Sequence, residues 1–410
     1  MPGVLALLCL LACASATASS ASISSATTAS TASSASTTSV SAAAASTPRS
    51  LPPGPLIVGY GTAACDQEKM ISEAMAGVNV IIWFATNLVK GADGRPEVVG
   101  GQNHTCVAEV ARELRRRKLP TAHMISIGGW DAPHPDTSFS GTQWWVAWDA
   151  WNQATVADKA LGFPGYDGID WDLEGNDASE SVWNTFTAEC VELVGTMSQA
   201  AKRAGFLVSL VPPQSYTDPT ISGFDRSLRH SYSDWKPDFH YRGMNAYAVW
   251  LSSRYSAVQV NNKRVPTFDF VDVQLYETWS RASFAIDGPP QTPPAQYLVE
   301  LVRSFAKGWS VDFSSDPTVG VPTQNVSIPP KQLVLGFSRG SENGSGKSVF
   351  IWPKDVGEAF AALAEDERPL GVMFWNMEID GRRDHGTGVN GTNVTCDQAA
   401  EFNKFLRVRT

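Results

Sequence analysis

Cationic residues are in short supply in this chain: 32 Lys and Arg stand against 41 Asp and Glu, for a formal net charge of −9. That balance opposes binding to nucleic acid or to an anionic membrane surface, so neither is an expected partner. Histidine is scarce as well, with 6 in 410 residues, and no two are spaced as His-x-x-x-His. No transition-metal site and no metal cofactor is therefore expected. Gly59-Tyr60-Gly61 lacks the third glycine of a dinucleotide-binding loop. No internal repeat of the solenoid or propeller kind is visible. Beyond the first twenty or so residues no apolar run is long enough to cross a bilayer, which needs about 20 residues.

What the chain does carry begins with an apolar stretch at residues 4 to 14, followed by the small-residue patterns Ala14-Ser15-Ala16 and Ala16-Thr17-Ala18. These predict a signal peptide over residues 1–18, although Lys and Arg are missing from its start. Residues 19–54 open as an almost unbroken Ser/Thr/Ala tract that cannot bury a core, and predict a disordered, O-glycosylated tail. Residues 55–410 then form the one folded domain. Two of the six cysteines, Cys9 and Cys13, lie in the leader; Cys65, Cys106, Cys190 and Cys396 remain for one or two disulfides of undetermined connectivity. Asn103, Asn325, Asn343, Asn390 and Asn393 each begin an N-glycosylation sequon. A secreted, extracellular monomer without a membrane anchor is expected.

The richest segment is Asp-Gly-Ile-Asp-Trp-Asp-Leu-Glu at residues 167 to 174. Acidic and apolar residues alternate with period two, so a strand here would put Gly168, Asp170, Asp172 and Glu174 on one face and Ile169, Trp171 and Leu173 on the other. Unpaired buried carboxylates are too costly for a plain core; they must share protons, bind metal or line a wet cleft. Asp172 and Glu174 would stand about 6 to 7 Å apart at their backbones, close enough to push their pKa values apart. A calcium loop started at Asp170 would need Glu at its twelfth position, where Ser181 stands. A solvated edge strand fits poorly with Ile, Trp and Leu on the opposite face. Catalytic carboxylates remain.

From residue 55 onward, eight strand-like runs are expected: Leu56–Tyr60, Val78–Phe84, Ala122–Ile127, Tyr166–Glu174, Phe206–Val211, Phe270–Tyr276, Gln332–Phe337 and Gly371–Trp375. Helical patterns such as Cys106–Lys118, Ser181–Ala204 and Val356–Ala364 lie between them. This is the rhythm of an α/β (β/α)8 TIM barrel, whose chemistry sits at the C-terminal ends of its strands. Trp144, Trp148 and Trp151 share one helix face, a pattern that favours core. Ala257–Val265 reads as a hairpin turning at Asn261-Asn262, either a cleft rim or a surface insertion.

Together these motifs resemble the family-18 glycoside hydrolases, chitinases and their relatives, over residues 55 to about 405. The Asp167–Glu174 run matches that family's DGxDxDxE motif, and Ser126-Ile127-Gly128-Gly129 its SxGG motif. Gln274-Leu275-Tyr276 and Pro213-Gln214 are similar to segments of the plant class III-type chitinases, and Gly371-Val372-Met373-Phe374-Trp375 resembles the family's strand-eight segment. Glu277 departs from the Asn or Asp often found there, and no large insert separates strands seven and eight. The resemblance implies Glu174 as general acid and then base, Asp172 as the group that turns the substrate's acetamide, and Asp170 as its proton-sharing neighbour. It implies Tyr276 as donor to the acetamide oxygen, Gln274, Trp375 and Gln214 as substrate-binding, and Asp167, Gly168, Ser126, Gly128 and Gly129 as shaping the barrel. Ser126 would bond near Asp170. The implied function is an endo-acting chitinase cleaving β-1,4 linkages between N-acetylglucosamine units by substrate-assisted retention, with chitin or its oligosaccharides as partner. Alternatives are an endo-β-N-acetylglucosaminidase acting on N-glycans, and a chitin-binding lectin without catalysis. Such lectins typically replace the last motif acid, which here is Glu174.

Overall fold

Strands rich in Val, Ile, Leu and aromatic residues recur along the chain with room for a helix between them, and in the computed structural model they close a barrel. Residues 49–62, 65–176, 178, 180–228, 244–276, 280–287, 290–338, 349–381 and 396–407 are described. The barrel strands are β1 (Leu56–Gly61), β2 (Val80–Lys90), β3 (Ala122–Gly129), β4 (Gly168–Leu173), β5 (Leu207–Leu210), β6 (Phe270–Gln274), β7 (Leu333–Ser338) and β8 (Gly371–Trp375). Each pairs in parallel with its neighbour in chain order, and β1 bonds to both β2 and β8, closing the ring. The helices are α1 (Gln67–Ala76), α2 (His104–Arg116), α3 (Gly141–Trp151), α4 (Ala188–Arg203), α5 (Arg281–Asp287), α6 (Pro294–Lys307), α7 (Pro353–Ala362) and α8 (Gln398–Leu406). This is a (β/α)8 barrel, as the alternation in the sequence implies.

Period-two alternation divides each strand between two cores. Outward residues such as Ile57, Ile81, Ile125, Ile169 and Val208 pack under the helices. Inward residues Leu56, Val58, Val80, Ile82, Met124 and Met373 fill the lower interior. Burying each such side chain contributes roughly 1.5–3 kcal/mol. Local sequence sets the helix starts. Ser140 and Gln143 form a capping box on α3, while Asn103 and Thr187 cap α2 and α4. Each cap is worth about 1 kcal/mol. Trp144 and Trp148 of α3 are fully buried, Trp145 nearly so, and Trp151 stacks on Tyr166 with ring centroids 6.1 Å apart, so the tryptophan face is core.

The structure departs from the sequence reading in several places. β2 runs past the barrel rim and pairs antiparallel with the strand Pro96–Gly100, which no periodicity announced. No α-helix lies between β5 and β6 among the described residues; a 3-10 segment, Ala246–Leu251, stands there instead. The hairpin forms as Ala257–Val260 with Lys263–Pro266, turning through left-handed Asn261 and Asn262 (φ 49° and 63°), and it lies on the barrel flank against α4. It is a surface insertion. Arg49, placed by composition in the tail, is part of the fold: its N–H donates to the Gly205 carbonyl at 2.9 Å and its guanidinium stacks 3.6 Å over Phe206. The segment read as leader, residues 1–18, and the rest of the tail up to residue 48 lie outside the described residues, as do Glu277 and the sequons at Asn343, Asn390 and Asn393. Cys65 and Cys106 are joined in a disulfide that ties α2 to the loop after β1. Cys190 and Cys396 are buried free thiols. Among the described residues no helix is long and apolar enough to cross a membrane.

Candidate active site

β4 carries its acids on the inner face, as the alternation requires. Ile169, Trp171 and Leu173 face outward with no exposure, and the Trp171 indole donates to Ser198 Oγ at 2.8 Å. The outer face is thus satisfied and apolar, which fixes the register and forces Asp170 and Asp172 into the barrel. Tyr247 locks the end of the strand: its hydroxyl accepts from the Leu173 N–H at 2.6 Å and donates to the Leu173 carbonyl at 3.1 Å.

Asp170 is completely buried, at the middle of the interior. Three hydroxyls converge on it: Tyr60 (2.8 Å) and Ser126 (3.2 Å) on Oδ2, Ser209 (2.5 Å) on Oδ1. Burial pushes its carboxyl up to about 6, against the three donors that favour the charged form. Asp172 lies above it, 5% exposed, and Glu174 lies at the mouth, partly exposed. The carboxyls of Asp172 and Glu174 are neighbours on one strand face, reached by a single side-chain amide, that of Gln274. Two carboxyls so close resist ionising together, which favours one proton kept on the pair. The Gln274 amide donates to Asp172 Oδ1 (3.1 Å), to Glu174 Oε1 (3.2 Å) and to the Val211 carbonyl (2.8 Å), holding the pair in place. Burial, then the charges of Glu174 and Asp170, raise the Asp172 carboxyl well above the usual range. Burial raises Glu174 too, against the Gln274 amide, which favours its charged form. The Asp170 oxygens take the three hydroxyls, while Asp172 takes the Gln274 amide. His134 Nε2 reaches the Glu174 carbonyl at 3.1 Å, and burial lowers its pKa to about 4, so it is neutral at pH 7.

The remaining sequence-derived residues fall into two groups. At the mouth, partly exposed Trp375 ends β8 and meets the rings of Phe84 (5.0 Å) and Tyr60 (5.5 Å); partly exposed Tyr276 follows the end of β6. The others form the wall. Gly128 has φ +101°, and a Cβ there would stand 2.5 Å from the Asp172 carbonyl, so only glycine lets β3 approach β4 so closely. A Cβ on Gly129 would meet the Phe84 ring at 2.3 Å, and one on Gly168 the Leu207 carbonyl at 2.2 Å. Asp167 lies at the opposite end of β4, accepting from the His123 N–H (2.9 Å) and 3.5 Å from Arg49 Nε. Gln214 is buried, with its amide bonded to the Tyr297 hydroxyl (2.5 Å) and to the Ala282 N–H (3.1 Å). Tyr60, Ser209, Tyr247 and Asp272 also belong to the interior and had not been singled out from sequence. The inward placement of Tyr60, Ser209 and Asp272 on β1, β5 and β6 was readable from period two; the convergence of Tyr60 and Ser209 on Asp170 required the closed ring, and Tyr247 comes from the 3-10 segment after β5. Surface grooves of about 590 and 600 Å³ elsewhere contain none of these acids.

No family model and no curated protein matches the chain. Solved structures similar to it include the C-terminal domain of ChiA from Legionella pneumophila, at 18% identity over 86% of this chain and 98% of that one, with a TM-score of 0.49. A GH18 chitinase from Pseudoalteromonas aurantia aligns at 12% identity over 86% of this chain and all of that one, TM-score 0.49. The tamarind chitinase-like lectin aligns at 15% identity over 80% and 96%, TM-score 0.42. What places this chain among the (β/α)8 barrels is its own strand order.

Proposed function

We propose that the chain is a secreted glycoside hydrolase of the chitinase type, cutting β-1,4 bonds between N-acetylglucosamine units within the polymer and using the substrate's acetamide as nucleophile. The observation that carries this reading is the Asp172–Glu174 pair at the C-terminal end of β4, bridged by the Gln274 amide beside the mouth. Cleavage needs an acid at the leaving oxygen and a group that stabilises positive charge at the sugar. Glu174, the outermost and partly exposed acid, gives its proton to the glycosidic oxygen and later takes one from water. With the proton on Glu174, Asp172 is the anion that orients the acetamide N–H and steadies the oxazolinium ring formed by acetamide attack. Tyr276 donates to the acetamide oxygen and Trp375 offers its indole face to the sugar. Gln274 keeps the two carboxyls in register, and Gln214 braces the wall behind α5. The apolar run at residues 4 to 14 and the Cys65–Cys106 disulfide support secretion.

Incubation with N-acetylglucosamine oligomers, fully deacetylated chitosan and a high-mannose glycoprotein in parallel tests the proposal. Oligomers are expected to be cut internally and chitosan left intact, since it lacks the internal nucleophile. Release of glycans with oligomers untouched would move the assignment to an N-glycan endoglycosidase. Tight oligomer binding with no cleavage of any substrate would make the protein a lectin.

A further inference from the structure

One acid inside the barrel has no part in those steps. Asp272 lies on β6, two residues before Gln274 on the same inward face, and is completely buried. Neither of its carboxylate oxygens has a hydrogen-bond partner. On β7 its register partner is Val334, and a Cβ on Gly336, two residues further along, would come within 2.9 Å of Asp272 Oδ1. From β4 it is faced by Asp170 and Asp172 and from β1 by Tyr60; β5 contributes Ser209, which is bonded to Asp170. Among the described residues no lysine, arginine or histidine bonds to the side chain of Asp170, Asp172, Glu174 or Asp272. An unpartnered acid at such a depth destabilises the fold, and a valine or leucine there would be better tolerated. Its effect is therefore sought in the site. Burial, then the Asp170 charge, raises the Asp272 carboxyl well above the usual range, and ionising it would in turn oppose ionisation of Asp172 and Tyr60.

We propose that Asp272 is a positioning residue for the reaction's proton: a fourth carboxyl at the floor of the site that makes the interior reluctant to release the proton kept on the Asp172–Glu174 pair. Four acids without a cation lose protons as one coupled set, and removing one makes the remaining steps easier. Asp272 has no exposed surface, so it would act on protonation and not on binding. The proposal rests on reading Asp172 and Glu174 as a proton-holding pair, but not on which glycan is cut.

Carboxyl ¹³C NMR titration and the kcat–pH profile of the full chain and of Asp272→Asn and Asp272→Val test it. The cluster's titration and the basic limb of kcat are both expected to move toward acid in the variants, by on the order of one pH unit, with KM unchanged. A merely structural Asp272 would leave both in place, and an unmoved titration in a variant with a native circular dichroism spectrum and melt overturns the proposal. Should the Asn variant not fold, the Val variant decides, because it removes the unpartnered group altogether. A wild-type cluster that releases all its protons below about pH 5 overturns the proposal without any variant. If the titration moves but the wild-type chain cleaves no glycan, this inference stands and the proposed function falls.

Discussion

Two groups of carboxyls in this chain face the same electrostatic problem and solve it in different ways. On the barrel's flank, Glu73 of α1, Asp380 after β8 and Asp397 at the start of α8 bring carboxylate oxygens within 4.8 Å of one another. Lys69 is bonded to Glu73. Asp380 accepts the N–H groups of Gln398 (2.9 Å) and Ala399 (3.1 Å), and Asp397 that of Ala400 (3.0 Å). A cation and the N-terminus of a helix absorb part of the charge and burial leaves a proton on Glu73, so the cluster clamps α1 to α8. Inside the barrel, Asp170, Asp172, Glu174 and Asp272 have hydroxyls and one amide but, among the described residues, no cation. Protons kept on the acids are the remaining way to limit their charge. The difference lies in what surrounds the acids: the flank has a fixed cation and a helix N-terminus beside them. The barrel acids have neither among the described residues, and the proposed hydrolysis would draw on the proton they keep.

The largest expected break in this comparison comes from Glu174→Gln. The amide retains shape and hydrogen bonding to Gln274 but has no proton to give, so turnover should fall about 10²- to 10⁴-fold with the fold and oligomer binding intact. A variant keeping more than a tenth of wild-type turnover would remove Glu174 from its role.

Asp172→Asn should also lower kcat by orders of magnitude, and it carries a directional signature. Without the partner carboxyl, Glu174 has no like charge beside it and releases its proton more readily, so the basic limb of the kcat profile should move to lower pH. A normal kcat, or a limb moved to higher pH, would make Asp172 a wall residue like Gln214.

The flank should give a stability effect and no catalytic one. Burial lifts Glu73 from its ordinary 4.5 to about 8, partly countered by Lys69. Between those values the folded chain holds a proton that the unfolded chain has released, so raising the pH through this window costs stability. Glu73→Gln should flatten the decline of Tm between pH 5 and pH 8 while leaving oligomer cleavage unchanged. An unaltered slope would show that the cluster is not proton-linked to folding.

Much of this was legible from residue order. The period-two run at residues 167 to 174 announced β4, its inward acids and its outward Trp171, because one strand face must be apolar for the other to be held in a cleft. The other seven barrel strands stood out as apolar runs, with ends shifted by a few residues. What could not be read was anything requiring closure. Tyr60 and Asp170 are 110 residues apart, and Asp170 and Ser209 are 39 apart; only the ring brings them into contact. Asp272 was hidden differently: Phe-Val-Asp-Val-Gln shows one acid in an apolar strand, and nothing in that segment says it lies across from Asp170. The strand Pro96–Gly100 was missed because Pro and Gly at its ends read as loop, whereas pairing with the overlong β2 sets its conformation.

The central claim is that the interior proton serves a hydrolysis in which the substrate's acetamide is the nucleophile. The most direct measurement is proton NMR of the first product formed from an N-acetylglucosamine oligomer, recorded before mutarotation. Attack by the acetamide followed by water on the freed face gives net retention, so the β-anomer should appear first. An α-anomer as the initial product would mean direct displacement by water, and would contradict the account.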